Sequence, residues 1–146
     1  MRILLVEDDP VARRQMQAGL ERAGHEVVTA NDGEHAWELL QAPETPHLVV
    51  LDWDLPGLDG LAVIDRVRAI PGASYTYVVL VTGRGLREDV VAGLEAGADD
   101  YLIKPVDGSV LRARVRSGER VLRLEAAMLA RIAQLEVSLD ASRKVA

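Results

Sequence analysis

Four short apolar runs in this chain each lead into residues of types that suit a phosphate or a cation. Ile3-Leu4-Leu5-Val6 runs toward Asp8 and Asp9, Leu48-Val49-Val50-Leu51 into Asp52, Val78-Val79-Leu80-Val81 into Thr82, and Tyr101-Leu102-Ile103 into Lys104-Pro105. Three carboxylates, a hydroxyl and an ammonium are the parts of a site for a hard cation and a phosphoryl group. Oxygen donors suit such a cation, and an ammonium meets phosphoryl oxygens as a point charge. Asp52 adds a nucleophile, since a carboxylate attacks phosphorus to form an acyl phosphate. These residues lie far apart in the chain, so only an architecture that gathers strand ends brings them together.

The elements supply that architecture. The four runs have strand length and composition, and they alternate with longer stretches of helical period, as in βαβ units around a parallel sheet. In open parallel sheets, ligands collect beyond the carboxyl ends of the strands, where strand order reverses. Pro10 suits a first helical turn with Asp9 as its N-cap. Val11, Met16, Leu20 and Ala23 give that helix an apolar face before Gly24 stops it. A short strand at 26–29 follows. Then come a turn at Asn31-Asp32-Gly33 and a helix at 34–41 before Pro43 and Pro46. The run 48–51 is apolar throughout, the mark of a central strand covered on both faces. The loop 55–60 leads to a helix at 61–70, a strand at 76–81, the loop Gly83-Arg84-Gly85, a helix at 88–96 and a fifth strand at 100–103. The expected fold is α/β, a doubly wound five-stranded parallel sheet.

Helical pattern without proline then runs from 107 to about 142. Its early apolar residues Val110, Leu111, Val115 and Leu122 are expected to pack on the sheet. Met128, Ile132, Leu135 and Leu139 are spaced 4, 3, 4, as in a two-stranded coiled-coil seam. The predicted organisation is a compact domain over 1–120 and a helical extension over 121–146, projecting and pairing with a second copy.

Composition narrows the class. With 146 residues, 49% of them hydrophobic, the chain buries one good core rather than two. No cysteine is present, which excludes a disulfide framework. A strand starting at Arg2 leaves no room for a signal peptide, and no apolar run approaches a membrane span. A soluble cytoplasmic protein with no membrane contact is expected. Residues 1–106 carry 9 Lys/Arg against 18 Asp/Glu, whereas 107–146 carry 8 against 5. The acidic body argues against direct nucleic-acid binding. The basic tail reads as a solvated helix face before a partner surface. His25, His35 and His47 lack metal-ligand spacing and read as unremarkable surface residues.

The strings Leu5-Val6-Glu7-Asp8-Asp9-Pro10, Val50-Leu51-Asp52-Trp53-Asp54-Leu55-Pro56-Gly57 and Gly97-Ala98-Asp99-Asp100-Tyr101-Leu102-Ile103-Lys104-Pro105, with Thr82 between the last two, closely resemble the receiver domain of two-component response regulators. The resemblance covers residues 1 to about 120 and implies the flavodoxin-like receiver fold. It implies that Asp52 is the phosphoacceptor, charged by a sensor histidine kinase or a phosphotransfer protein. It further implies that Asp8, Asp9, Asp52 and the backbone carbonyl of Asp54 hold Mg²⁺ (or Mn²⁺). Lys104 would pair with the phosphoryl oxygens and Thr82 would donate a hydroxyl hydrogen bond to one of them. Pro105 would follow a cis peptide that aims Lys104 inward. Tyr101 would turn toward Thr82 when the switch operates. Asp54 and Arg84, each two residues beyond a site residue, would tune the lifetime of the phosphoryl group. Leu55 departs from the family's common methionine, a volume-conserving change.

The implied activity is a phosphorylation switch that catalyses only its own phosphorylation and dephosphorylation. A rival arises because Asp52-Trp53-Asp54 also resembles the DxD nucleophile and acid of haloacid-dehalogenase-like phosphatases. That family's motif lies near the N-terminus, before a late acidic pair and with a cap; here the acidic pair comes first and no cap fits. All site residues are present, which disfavours a binding-only pseudo-receiver. No helix-turn-helix or catalytic output motif follows residue 106. Either the receiver stands alone or an output domain follows Ala146; the long helix favours the second, as a linker to a domain such as a diguanylate cyclase or a kinase.

Overall fold

The computed structural model describes residues 1–145. Five strands, β1 (Arg2–Val6), β2 (Glu26–Ala30), β3 (Leu48–Leu51), β4 (Tyr77–Thr82) and β5 (Asp100–Ile103), alternate with five helices, α1 (Pro10–Arg22), α2 (Gly33–Gln41), α3 (Gly60–Arg68), α4 (Arg87–Glu95) and α5 (Gly108–Val145). The strands are all parallel, in the order β2-β1-β3-β4-β5. The chain moves outward from β1 to β2 and then returns across β1 to β3. Strand order thus reverses between β1 and β3, where the residues following each strand face a common crevice.

Alternation of side chains divides the core in two. Leu4, Val6, Val49, Leu51, Val78 and Leu80 point to one face, where Ala36 and Leu40 of α2 and Val63, Ile64 and Val67 of α3 cover them. Ile3, Leu5, Leu48, Val50, Val79 and Val81 point to the other, under Leu20 of α1 and Leu111 and Val115 of α5. Each face buries what the other cannot, which is why the central runs are apolar without interruption.

Short-range chemistry marks the helix starts. Asp9, Asp32 and Asp59 cap α1, α2 and α3 through side-chain bonds to backbone N–H groups. Leu86 precedes α4 without such a bond. Element bounds differ from expectation by one to three residues, and Thr82 is the last residue of β4 rather than the first beyond it.

Three residues of the expected apolar helix faces are exposed: Val11, Val110 and Ala23, the last at the C-terminal end of α1. Val11 sits at the open start of α1, and Val110 lies on the outer side of the first turn of α5. Leu111, Val115 and the half-buried Leu122 carry the contact of α5 with the sheet instead. Gly118 allows the closest approach: a Cβ there would lie 2.6 Å from the Tyr77 ring. Glu125 still touches the domain, its carboxylate accepting the Tyr75 backbone N–H at 3.3 Å. Beyond it, Met128, Leu129, Ile132, Leu135 and Leu139 are all exposed. The helix has 38 residues, about 57 Å at the usual rise. Ala146 lies outside the described residues, as does the output domain expected beyond it. Among the described residues, no helix is long and apolar enough to cross a membrane.

Candidate functional site

Asp52 follows β3 directly, and its backbone N–H donates to the Val6 carbonyl at 3.0 Å. Glu7 follows β1 and is tied across to Ala30 at 3.1 Å. Lys104 follows β5, its N–H donating to the Thr82 carbonyl at 2.8 Å, and the Lys104–Pro105 peptide is cis, as expected. Ladder bonds that run past the strand ends thus hold the four positions in one row.

The side chains converge. The Lys104 ammonium donates to Asp52 Oδ2 at 2.8 Å and also to Glu7 Oε1. Carboxylate oxygens of Glu7, Asp8 and Asp52 lie within 4.8 Å of one another, a donor set that fits a hard divalent cation. Glu7 is 1% exposed and Asp52 7%, while Asp8 is open to solvent. Burial pushes the Glu7 carboxyl up to about 7, against the opposing pull of Lys104. Burial pulls the Lys104 amine down, but its hydrogen bonds to Asp52 and Glu7 outweigh that and hold it above the ordinary lysine value.

Asp9, expected among the metal ligands, is absent from this cluster. Its carboxylate faces away, accepting the Val11 and Ala12 N–H groups at 3.3 and 3.4 Å as the cap of α1. One short side chain cannot satisfy orphan helix donors and also reach the crevice. Glu7 takes the place: it is the acid that directly follows the buried strand, and its longer side chain stays inside. The sequence contained the clue, since Asp9 before Pro10 already reads as a cap.

A second layer sits at the mouth. Arg84 grips Asp54 with Nε at 3.1 and 3.2 Å and a terminal nitrogen at 2.7 Å. That fork holds the Asp54 carboxyl below the usual carboxylate range. The buried Thr82 hydroxyl donates to Asp54 Oδ2 at 3.4 Å and accepts the Arg84 backbone N–H at 3.3 Å. Tyr101, half-buried, donates its hydroxyl to the Arg84 carbonyl at 2.7 Å. Sequence reasoning missed Trp53: its buried ring lies under the Arg84 guanidinium, 4.4 Å from the ring centre. A tryptophan directly after Asp52 was the available signal. The histidines stay outside the site; His35 and His47 are exposed, and His25 is half-buried with Nδ1 unpartnered.

Residues 3–116 match the family model of the response regulator receiver domain. The chain is 46% identical over 122 residues to the transcriptional regulatory protein AfsQ1 of Streptomyces coelicolor, covering 81% of this chain and 52% of that protein. It is 33% identical over 116 residues to a chemotaxis protein CheY homolog of Campylobacter jejuni, covering 79% of this chain and 89% of that one. It therefore spans about half the length of the transcriptional regulators it matches. Among solved structures, the Francisella response regulator 1452 receiver domain is similar with a TM-score of 0.75 at 28% identity, over 82% of this chain and 98% of that one. The BeF3-activated N-terminal receiver domain of Klebsiella pneumoniae RstA is similar with a TM-score of 0.73 at 35% identity, over 81% and 97%.

Proposed function

The chain belongs to the response regulator receiver domain family, and from that premise we propose that Asp52 accepts a phosphoryl group from a sensor histidine kinase or phosphotransfer protein. One observation carries the reading: a nearly buried carboxylate whose Oδ2 is met at 2.8 Å by the ammonium from a different strand end. In the proposed step an Asp52 oxygen attacks phosphorus, the bond from phosphorus to the donor's histidine nitrogen breaks, and the nitrogen keeps the electron pair. Such transfer depends on in-line positioning and charge neutralisation more than on acid–base work. Lys104 supplies a cation on one side, and Thr82 a hydroxyl donor on another. Mg²⁺ (or Mn²⁺), held by Asp8, Asp52, the Asp54 carbonyl and Glu7 in place of Asp9, would neutralise charge on the phosphoryl oxygens. Loss of the group is hydrolysis by water that enters past Asp54 and Arg84.

The protein is a signalling module rather than a conventional enzyme. A dehalogenase-like phosphatase would need Asp54 to carry a proton for the leaving group, whereas Arg84 holds that carboxyl ionised. The relatives named above are a transcriptional regulatory protein and a chemotaxis protein homolog. Tyr101 and the surface of α4, β5 and α5 form the proposed output face, biased between two packings by phosphorylation. α5 is the proposed route to an output domain and the pairing element of a homodimer. The setting proposed is cytoplasmic, and nucleic-acid contact, where the whole protein makes it, belongs outside this acidic body.

The test uses Mg²⁺ and acetyl phosphate as donor. Mass spectrometry is expected to find one phosphoryl group, on Asp52. Label on another residue, or label that persists in Asp52→Asn, would overturn the assignment.

A further inference from the structure

Asp54 does more than flank the phosphoacceptor. Its carboxylate accepts the Thr82 hydroxyl at 3.4 Å and is held by the Arg84 fork at 2.7 to 3.2 Å. Thr82 Oγ1 accepts the Arg84 N–H at 3.3 Å, and the Arg84 carbonyl accepts the Tyr101 hydroxyl at 2.7 Å. Arg84 also stacks on Trp53 and reaches Asp89 of α4 at 3.9 Å. Asp54, Thr82 and Arg84 therefore form a closed ring of contacts, with Tyr101 hung from it.

Resting on the receiver reading above, we propose that the Asp54 carboxylate is the resting-state substitute for the phosphoryl group, holding Thr82 and the Arg84 loop outward until a phosphoryl group on Asp52 takes the Thr82 hydroxyl. One hydroxyl hydrogen cannot serve both acceptors. At 3.4 Å its contact with Asp54 is longer than an ordinary hydroxyl hydrogen bond, so the hydroxyl is readily surrendered. The charged fork from Arg84 is the firmer contact. When Thr82 moves toward Asp52, the Arg84 N–H loses its acceptor, and the carbonyl that anchors Tyr101 moves with the loop. Asp54 is thus a positioning residue that acts through Thr82 and Arg84, and it sets the balance between the two packings.

The test is titration of the full chain with beryllofluoride in the presence of Mg²⁺, read by Trp53 fluorescence and by the Tyr101 side-chain NMR signal. Asp54→Asn should bind about two- to fivefold more tightly, the scale set by an exposed ion pair. Its ligand-free Tyr101 signal should already be displaced toward the bound position. Arg84→Gln should also bind more tightly, and the double variant no more tightly than the better single one, because both remove one latch. Electrostatics alone predicts the opposite sign for Arg84→Gln, which takes a cation away from an anionic ligand. Weaker binding by Arg84→Gln, or wild-type binding and an unmoved Tyr101 signal in Asp54→Asn, would overturn the latch. Asp52→Asn separates the two readings. Beryllofluoride retained there overturns the phosphoacceptor assignment itself, whereas its loss there leaves the other variants to decide on Asp54.

Discussion

A carboxyl group shut away from water resists ionisation, because burial penalises the charged form. Glu7 is in that position, its carboxyl pushed up to about 7 from 4.5. A raised carboxyl contributes to stability fully below its unfolded value and loses that contribution as pH rises through its folded value. In metal-free protein, Glu7 should therefore favour folding near pH 4.5 and progressively less up to about 7. Metal binding runs the other way, since the ligand must first lose its proton. Mg²⁺ affinity should rise about tenfold between about pH 6 and pH 8, as the ionised fraction of Glu7 climbs from about a tenth to about nine tenths. Glu7→Gln should flatten that rise. Calorimetry at the two pH values checks it, and equal affinities in the wild type would count against Glu7 as part of the metal site. Glu7 also marks the limit of reading residues singly. Asp52, Thr82 and Lys104 were legible because each ends an apolar run. The choice between Glu7 and Asp9 depends on which side chain the helix start claims.

Among the helices, two glycines of opposite character separate propensity from packing. Gly19 in α1 has nothing within 4 Å of a prospective Cβ. Gly19→Ala should raise stability by about 0.5–1 kcal/mol, the ordinary cost of glycine inside a helix. Gly118 in α5 would set a Cβ 2.6 and 2.7 Å from ring atoms of the buried Tyr77 and 3.2 Å from Leu48. That ring has nowhere to move, so Gly118→Ala should cost about 1–3 kcal/mol despite better helix propensity. Urea unfolding of the two variants gives both signs at once. If Gly118→Ala were as stable as Gly19→Ala, α5 would not lie so close to β4. Both glycines sit inside helical pattern, and nothing local distinguishes them. The crossing of α5 over the sheet does, and it joins residues 41 positions apart (Tyr77 and Gly118).

The molecule as a whole is a compact receiver with a long lever. The inward residues Leu111, Val115 and Leu122 lie on one side of α5. Val121, Leu124, Met128, Ile132, Leu135 and Leu139 remain exposed, on a stripe about a third of a turn away at 3.6 residues per turn. The stripe begins while the helix still touches the domain, so it is longer than the four residues legible as a seam. Each large side chain is worth about 1.5–3 kcal/mol when fully buried. Parallel pairing would place two receivers about a two-fold axis. The full chain should sediment as a dimer at high micromolar concentration. Ile132→Asp combined with Leu135→Asp, both far from the sheet, should be monomeric with an unchanged circular dichroism spectrum from the receiver. A dimer that survives those two charges would place its interface elsewhere.

Alternation of apolar strands with helical periods determined the parallel α/β class, because each strand buried on both faces must be apolar and each crossover must be amphipathic. The same alternation determined that Asp52, Thr82 and Lys104 share one edge, since parallel strands all end on the same side. Asp9 before Pro10 already read as the cap of α1, but the tertiary structure alone decided that Glu7 enters the pocket, because only the fold brings Lys104 beside it. It also decided that Asp54 and Arg84, 30 residues apart, close over Trp53. No local pattern specifies that pairing; it follows from β3 and β4 lying side by side, so that the loops leaving them meet.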